Sequence, residues 1–412
     1  MIYGFVALIA LGTILLILPV SSKAGQTTSF VDALFTATSA VCVTGLVVVD
    51  TADYWSRFGQ VVILALMQLG GFGFMTSATL FLLALGRRIG LRERLVIRES
   101  MGLAQLGGLV SIIIKMAIFT ILVEVIGAVI FYFRFATEMP PGASAWHAIF
   151  HAISAFNNAG FDVFGGFNSI SGYQRDPLMV MVTAVLIILG GISFLVIVDI
   201  IRKRRINRLS LDSKIVLYTT GALLVLGTMI ILLIEFADPD TLGVLTTPQK
   251  WLNAFFQSVT ARTAGFSTIS MGNVADYALF FTMLLMFVGG ASGSTAGGIK
   301  VNNFGMITAT IWSAVRGKEH GGAFGREFNI QQVHRALAVV MLSLAFVSVV
   351  VFLLTVTEDF KFIELLFETT SAFGTVGLTT GITPGLSIAG RFVITATMFM
   401  GRLGPLTLVL AL

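Results

Sequence analysis

Four glycines, Gly45, Gly160, Gly265 and Gly377, stand in similar surroundings at intervals along 412 residues. Each follows a phenylalanine by ten positions: Phe35, Phe150, Phe255 and Phe367. Ser39, Ser154 and Ser371 fall four residues after three of these phenylalanines, and Val259 takes that place in the third stretch. The glycine segments read Val43-Thr44-Gly45-Leu46, Asn158-Ala159-Gly160-Phe161, Thr263-Ala264-Gly265-Phe266 and Thr375-Val376-Gly377-Leu378. None of these side chains is a general acid or a nucleophile. What the segments offer is backbone carbonyl oxygen, and Asn158 adds a side-chain oxygen in its column. Glycine adopts positive φ without a Cβ clash, so successive carbonyls can face one way. A ring of such carbonyls can replace the hydration shell of a weakly hydrated cation. A single glycine loop would be read as ordinary helix packing; four in one register are an internal repeat.

A second set of small residues lies 24 to 30 positions further on in each case: Gly70-Gly71, Gly190-Gly191, Gly289-Gly290 and Gly401-Arg402. In the third case the run continues as Ala291-Ser292-Gly293-Ser294-Thr295-Ala296-Gly297-Gly298, followed by Ile299 and Lys300. Glycine costs about 1 kcal/mol relative to alanine in a helix interior. Five glycines in these ten residues therefore predict an interrupted helix, although small residues also serve close helix packing. Discontinuous helices at membrane depth face a cavity or an ion path. Gly289, Gly290, Ser292, Gly293, Ser294, Thr295, Gly297 and Gly298 are accordingly candidate gating residues, placed on the cytoplasmic side of the third glycine loop. Arg402 stands where the other three sets carry a second glycine, within an apolar run. An arginine at that depth costs about 2.5–3.5 kcal/mol on insertion scales. It is expected to lie beneath the glycine loops, where it repels cations or holds the interrupted segment.

Other polar residues suggest structure rather than chemistry. Glu124 is expected to pair with Lys115 or a neighbouring helix, and Arg262 to brace a loop carbonyl or a carboxylate. His147, His151, His320 and His334 show no metal-binding spacing, and Cys42 is the only cysteine. No H-E-x-x-H, paired aspartates at helical spacing or phosphate-binding loop occurs, so an intramembrane enzyme lacks its ionisable cluster.

The elements that must hold these residues follow from composition. Hydrophobic residues make up 56% of the chain and charged residues 11%, with mean hydropathy +0.94. Soluble domains carry about 25% charged residues, so the solvent here is lipid. Eight apolar runs, near 2–20, 56–85, 110–134, 177–200, 214–236, 275–298, 334–356 and 388–411, are long enough to span about 30 Å of hydrocarbon. Between the members of each pair lies a stretch of about 12 residues (30–41, 145–156, 249–261 and 361–373), or about 18 Å of helix, too short to cross. The unit reads long helix, short re-entrant helix, glycine loop, long helix. The expected fold is all-α and integral to the membrane, one 412-residue domain with repeats at 1–85, 110–200, 214–315 and 334–412 around one pseudo-fourfold pore.

Charge orients this arrangement. Arg87, Arg88, Arg92, Arg94 and Arg98 form one basic connection. Arg202, Lys203, Arg204, Arg205, Arg208 and Lys214 form a second, and Lys300, Arg316, Lys318, Arg326 and Arg335 a third. The opposite connections carry acids, such as Asp50 and Asp53, Glu235, Asp238 and Asp240, and Glu358 and Asp359. The basic connections should be cytoplasmic. The net charge of +5 is thus a topological signal, and a nucleic-acid partner is not expected. Residues 1–20 lack a basic leader and read as a retained span. That span begins almost at Met1, so a natural N-terminal tail is expected to be missing here.

The four phenylalanine-to-glycine segments, the second glycine anchors and the 289–298 run together resemble the Trk/Ktr/HKT superfamily of potassium transporters over essentially the whole chain. Eight long helices, without additional N-terminal ones, are most similar to the bacterial Ktr membrane subunit. None of the four loops carries the TVGYG of tetrameric potassium channels. The resemblance implies potassium uptake across a bacterial plasma membrane through a filter built from Gly45, Gly160, Gly265 and Gly377. Carbonyls of Val43, Thr44, Asn158, Ala159, Thr263, Ala264, Thr375 and Val376 would complete that filter. It implies an intramembrane gating loop at 289–298, a homodimer, and a cytoplasmic nucleotide-binding RCK ring as regulatory partner. No organic cofactor is implied in this chain. Sodium coupling and passive flow both stay open at this level. The potassium-binding subunit of a P-type pump shares the pore repeats but usually carries further helices.

Overall fold

The computed structural model describes residues 2–73, Thr76, Ser77, Thr79, Leu83, residues 109–318 and residues 320–404. The first basic connection, from Arg87 to Arg98, lies outside the described residues.

The chain is mostly helical. The helices are α1 (Ile2–Ile17), α2 (Phe30–Cys42), α3 (Arg57–Phe72), α4 (Leu109–Phe135), α5 (Pro141–Phe156), α6 (Pro177–Gly191), α7 (Phe194–Lys203), α8 (Leu211–Glu235), α9 (Thr247–Thr260), α10 (Asp276–Met286), α11 (Val301–Val315), α12 (Ile330–Thr357), α13 (Phe362–Gly374) and α14 (Ile388–Leu403). A two-stranded hairpin, β1 (Gly322–Ala323) and β2 (Arg326–Glu327), joins α11 to α12.

Among the described residues, three helices are long and apolar enough to cross a membrane: Val110–Phe135, Leu211–Glu235 and Ile330–Thr357. Ile118, Ile121, Leu122 and Val125 of α4 are more than half exposed, as are Met341, Phe352 and Val356 of α12. Such faces require hydrocarbon around them. This is an integral membrane fold.

The expected continuous spans differ in places. The run at 177–200 is two helices, α6 and α7, bent by 93° at Ile192 and Ser193. The run at 275–298 is helical only to Met286. Helix α3 closes on Gly73 at φ 75° and α14 on Gly404 at φ 81°, so neither runs straight on past its glycine anchor. The four short stretches fall where expected, as α2, α5, α9 and α13. Their starts obey capping chemistry: Ser29 accepts from the Asp32 amide, Pro141 opens α5, and Thr246 forms a capping box with Gln249.

The short helices pack in a closed order. Helix α2 lies between α1 and α3, α5 between α4 and α6, α9 against α8, and α13 between α12 and α14. Each group also touches the next: α3 meets α5, α6 meets α9, α10 meets α13, and α14 returns to α2. Phe150, Phe256, Phe367 and Phe35 are each fully buried in the apolar cluster of the preceding group, the last closing the circle. In the third stretch the buried ring is Phe256, one residue after Phe255, which is only partly buried.

Candidate functional site

Within three residues of the end of every short helix the chain enters the left-handed region. Val43 has φ 58°, Asn158 56°, Thr263 76° and Thr375 49°. For β-branched Val and Thr this is a genuine outlier, and such strain persists only where the surroundings impose it. Two residues later Gly45, Gly160, Gly265 and Gly377 are again at positive φ, 91°, 68°, 79° and 94°. The intervening Thr44, Ala159, Ala264 and Val376 are not. Alternation of hand is the backbone pattern that allows successive carbonyls to face one way. All twelve residues lie in the closed interior, and the eight that are not glycine are at most 1% exposed.

The four glycines meet one another. A Cβ built on Gly45 would stand 2.5 Å from the Ala159 carbonyl oxygen and 2.9 Å from the Gly160 Cα. One on Gly160 would stand 2.9 Å from the Ala264 oxygen and 3.1 Å from the Gly265 Cα. One on Gly265 would overlap the Val376 oxygen, and one on Gly377 the Thr44 oxygen. The contacts run first loop to second, second to third, third to fourth and fourth to first, so the loops form a closed ring.

Hydroxyls beneath the ring hold it. The Ser39 Oγ accepts from the Gly45 amide at 3.1 Å, and the Ser371 Oγ accepts from the Gly377 amide at 3.1 Å. Ser154 donates to the Phe161 carbonyl at 2.6 Å. In the third loop Thr260 donates to the Phe266 carbonyl at 2.6 Å, taking the place that Val259 cannot fill. The backbone shows the same offset. The amides of Thr44, Ala159 and Val376 bond to carbonyls five residues back, whereas Ala264 bonds to Thr260, four back. The third stretch is one residue shorter between its buried Phe and its glycine.

On one side the ring opens into a cavity of about 280 Å³ lined by all four glycines. Asp50 and Asp162 also line it, and no Lys or Arg does. The Asp50 carboxylate accepts from the amides of Ala52, Asp53 and Phe167 at 2.8, 2.9 and 2.7 Å. Asp162 accepts from the Phe164 amide at 3.0 Å. Burial pushes the Asp162 carboxyl up to about 6, and the charges of Asp50 and Asp53 act in the same direction.

On the other side lies the 289–300 segment. Gly289 donates to the Ile299 carbonyl, and Val301 to that of Gly290, so the segment folds back on itself. The Ala291 amide bonds the Gly191 carbonyl at 2.9 Å, and the Thr295 hydroxyl bonds that of Gly190 at 3.0 Å. Ser292 donates its amide to Asn302 Oδ1, and Ser294 Oγ accepts from Ala296. Gly293 is exposed. Gly297 leaves no room for a Cβ against Thr375, and Gly298, at φ 63°, lies 3.3 Å by the same measure from Gly374. Arg402 donates to the Thr295 carbonyl and to the Gly70 carbonyl at 2.6 Å. Of the two expectations for Arg402, holding the segment is the one with a bonded partner.

The second glycine anchors have a role that spacing alone did not identify. Cβ atoms at Gly70, Gly190 and Gly401 would overlap the carbonyls of Val41, Phe156 and Phe373, near the ends of three short helices. Gly289 is pressed instead against its own segment at Gly297. Of the two expectations for Glu124, the neighbouring helix holds: it bonds Gln68 of α3 and Asn157 at the end of α5, and not Lys115. The expectation for Arg262 is corrected. Arg262 reaches the Thr220 carbonyl of α8 at 3.4 Å rather than a loop carbonyl or a carboxylate. No metal-holding group of His, Cys, Asp and Glu occurs among the described residues.

Comparison with known proteins identifies the family. The family model described as TrkH, cation transport protein, matches residues 2–412. The chain belongs to that family. It is 42% identical over 406 residues to the Ktr system potassium uptake protein B of Bacillus subtilis, covering 98% of this chain and 90% of that one. It is 41% identical over 413 residues to the potassium/sodium uptake protein NtpJ of Enterococcus hirae, covering 99% and 91%. The crystal structure of the potassium transporter TrkH from Vibrio parahaemolyticus superimposes with a TM-score of 0.77 at 17% identity, covering 100% of this chain and 85% of that one. This last likeness bears on the fold alone.

Proposed function

We propose that this chain is the membrane subunit of a potassium uptake system, with four repeats (1–85, 110–200, 214–315 and 334–412) around one pseudo-fourfold pore. The carrying observation is the closed ring of Gly45, Gly160, Gly265 and Gly377. Val43, Thr44, Asn158, Ala159, Thr263, Ala264, Thr375 and Val376 supply the other filter carbonyls. Potassium is the cargo, and it exchanges water for these oxygens. The short helices end at the ring, so the negative ends of their dipoles favour a cation there. The acidic cavity faces outward and collects cations. Residues 289–298 close the inner side of the path, with Arg402 as their latch.

The names of the relatives, Ktr system potassium uptake protein B and potassium/sodium uptake protein NtpJ, support the choice of cargo and leave sodium as a candidate coupling ion. The Ktr system name also supports a partner subunit. We take that partner to be a cytoplasmic nucleotide-binding RCK ring beneath a homodimer of this chain, in the plasma membrane with the basic connections inside. A bacterium deficient in potassium uptake should grow at low potassium when it carries this chain with its partner. Gly→Ser at any of the four ring positions should abolish or sharply reduce that growth. Failure of the intact pair to rescue, with protein present in the membrane, rules the reading out.

A further inference from the structure

The residue just before each left-handed turn differs in the four loops: Cys42, Asn157, Arg262 and Gly374. Asn157 alone of these is tied to a carboxylate. Its Nδ2 donates to Glu124 Oε1 at 3.0 Å and to Gln68 Oε1 at 2.8 Å, and Gln68 Nε2 donates to Glu124 Oε2 at 3.2 Å. The three side chains close a triangle drawn from three helices: Gln68 from α3, Glu124 from α4 and Asn157 from the end of α5. Asn157 is 1% exposed and Glu124 7%. Glu124 makes no ion pair among the described residues. Gly71 presses on Asn157 from the fourth side, where a Cβ would stand 2.7 Å from its Cγ.

An acid at this depth is costly unless it has a task. The two Glu124 oxygens each accept from an amide NH2, and these bonds fix both amide orientations. From Asn157 the chain passes directly into Asn158, at φ 56°, and reaches Gly160 three residues on. The Asn158 Oδ1 is buried and has no hydrogen-bond partner among the described residues.

We infer that Glu124, acting through Asn157, is a positioning residue that sets the discrimination of the second loop between potassium and sodium. The inference rests on reading the ring as the filter. Selectivity depends on where carbonyls are held, and this triangle fixes the peptide that leads into one quarter of them. It ties the second loop to α3 of the first repeat as well as to its own α4, so two quarters of the ring share one brace.

Uptake of potassium and of sodium is measured with the partner present, together with protein amount in the membrane and with Gly45→Ser as a control. Glu124→Leu should raise sodium uptake relative to potassium by about tenfold, as leaving the buried Asn157 amide without its acceptor allows. Glu124→Gln keeps a carbonyl acceptor for Asn157 but sets its own NH2 against the Gln68 Nε2 donor, so its ratio should fall between those of the parent and Glu124→Leu. Asn157→Asp alone, which sets two carboxylates together, should behave like Glu124→Leu. The Glu124→Gln/Asn157→Asp pair restores one acid facing one amide and should recover the ratio, a result that generic destabilisation would not give. If Glu124→Leu keeps the parent ratio while Gly45→Ser loses it, the inference is overturned and the filter reading stands. If Gly45→Ser also keeps it, the filter reading itself has failed. Should Glu124→Leu not reach the membrane, the exchanged pair decides, and absence of recovery overturns the inference.

Discussion

At the scale of single residues, the ring grades its own glycines. All four carry positive φ, so any side chain there meets the left-handed penalty of about 1–2 kcal/mol. Space then separates them. A Cβ on Gly160 is 2.9 Å from its nearest neighbour, whereas at Gly265 and Gly377 it overlaps a carbonyl oxygen of the next loop. Gly377→Ala and Gly265→Ala should therefore lose most potassium uptake, with Gly160→Ala the mildest of the four. Uptake rate per unit of membrane protein reads that order; a Gly160→Ala as damaging as Gly377→Ala would contradict it. The four glycines were legible because each is the small residue in a fixed frame of Phe, Ser and apolar neighbours. The third frame was read one residue out of step. Phe255 keeps the ten-residue interval, but Phe256 is the buried ring and Thr260 supplies the hydroxyl. The absence of a serine at Val259 was the signal of that offset. Glu124 with Gln68 and Asn157 was not legible, because partners 33 and 89 positions apart meet only after folding.

At the scale of elements, the second helix turns or stops soon after its glycine anchor in three repeats and stops at Met286, ahead of Gly289, in the third; only this last interruption announced itself. The 289–298 run carries five glycines and reads as broken on propensity alone. The 93° bend between α6 and α7 falls at Ile192-Ser193, directly after Gly190-Gly191, a pair that weakens the helix without by itself marking a break in an otherwise apolar run. Tertiary contact supplies the reason: Gly190 is pressed against the Phe156 carbonyl, and the Gly190 and Gly191 carbonyls receive the hydroxyl of Thr295 and the amide of Ala291. The interrupted segment is thus fastened to the second repeat by its backbone and to the first and fourth through Arg402, which bridges Thr295 and Gly70. Arg402→Ala removes both of these bonds and a positive charge from the inner path. Potassium flux in the absence of the partner should rise several-fold, and the partner's control should weaken. Arg402→Lys retains the charge but not the two-pronged reach. It should resemble Arg402→Ala if latching dominates and the parent if charge repulsion dominates, so flux through the two variants separates the two roles.

At the scale of the whole molecule, the charge distribution has a direction. The cavity above the ring holds Asp50 and Asp162 and no basic side chain, and in the orientation proposed above the basic connections belong to the other side of the membrane. A cleft lined by one sign of charge concentrates counter-ions and speeds their capture, and added salt screens the effect. Asp50 accepts from three amides, and the Asp162 carboxyl is raised toward the physiological range. Its carboxyl is raised to about 6, first by burial and then by Asp50 and Asp53. A raised carboxyl carries its full negative charge well above that value and loses it as pH falls through about 6. Potassium uptake at limiting external potassium should therefore decline on acidification, with a midpoint near 6, through a higher KM rather than a lower maximal rate. Asp162→Asn should remove that step and leave the KM at neutral pH close to the parent's acidic value. The difference between parent and variant should shrink as ionic strength rises, since the Debye length falls from about 10 Å at 0.1 M to about 3 Å at 1 M. A parent profile without a step near 6, or a step that survives Asp162→Asn, would place the control of ion capture elsewhere than in this cavity. A step confined to the maximal rate would place it on the inner side, with the segment that Arg402 holds.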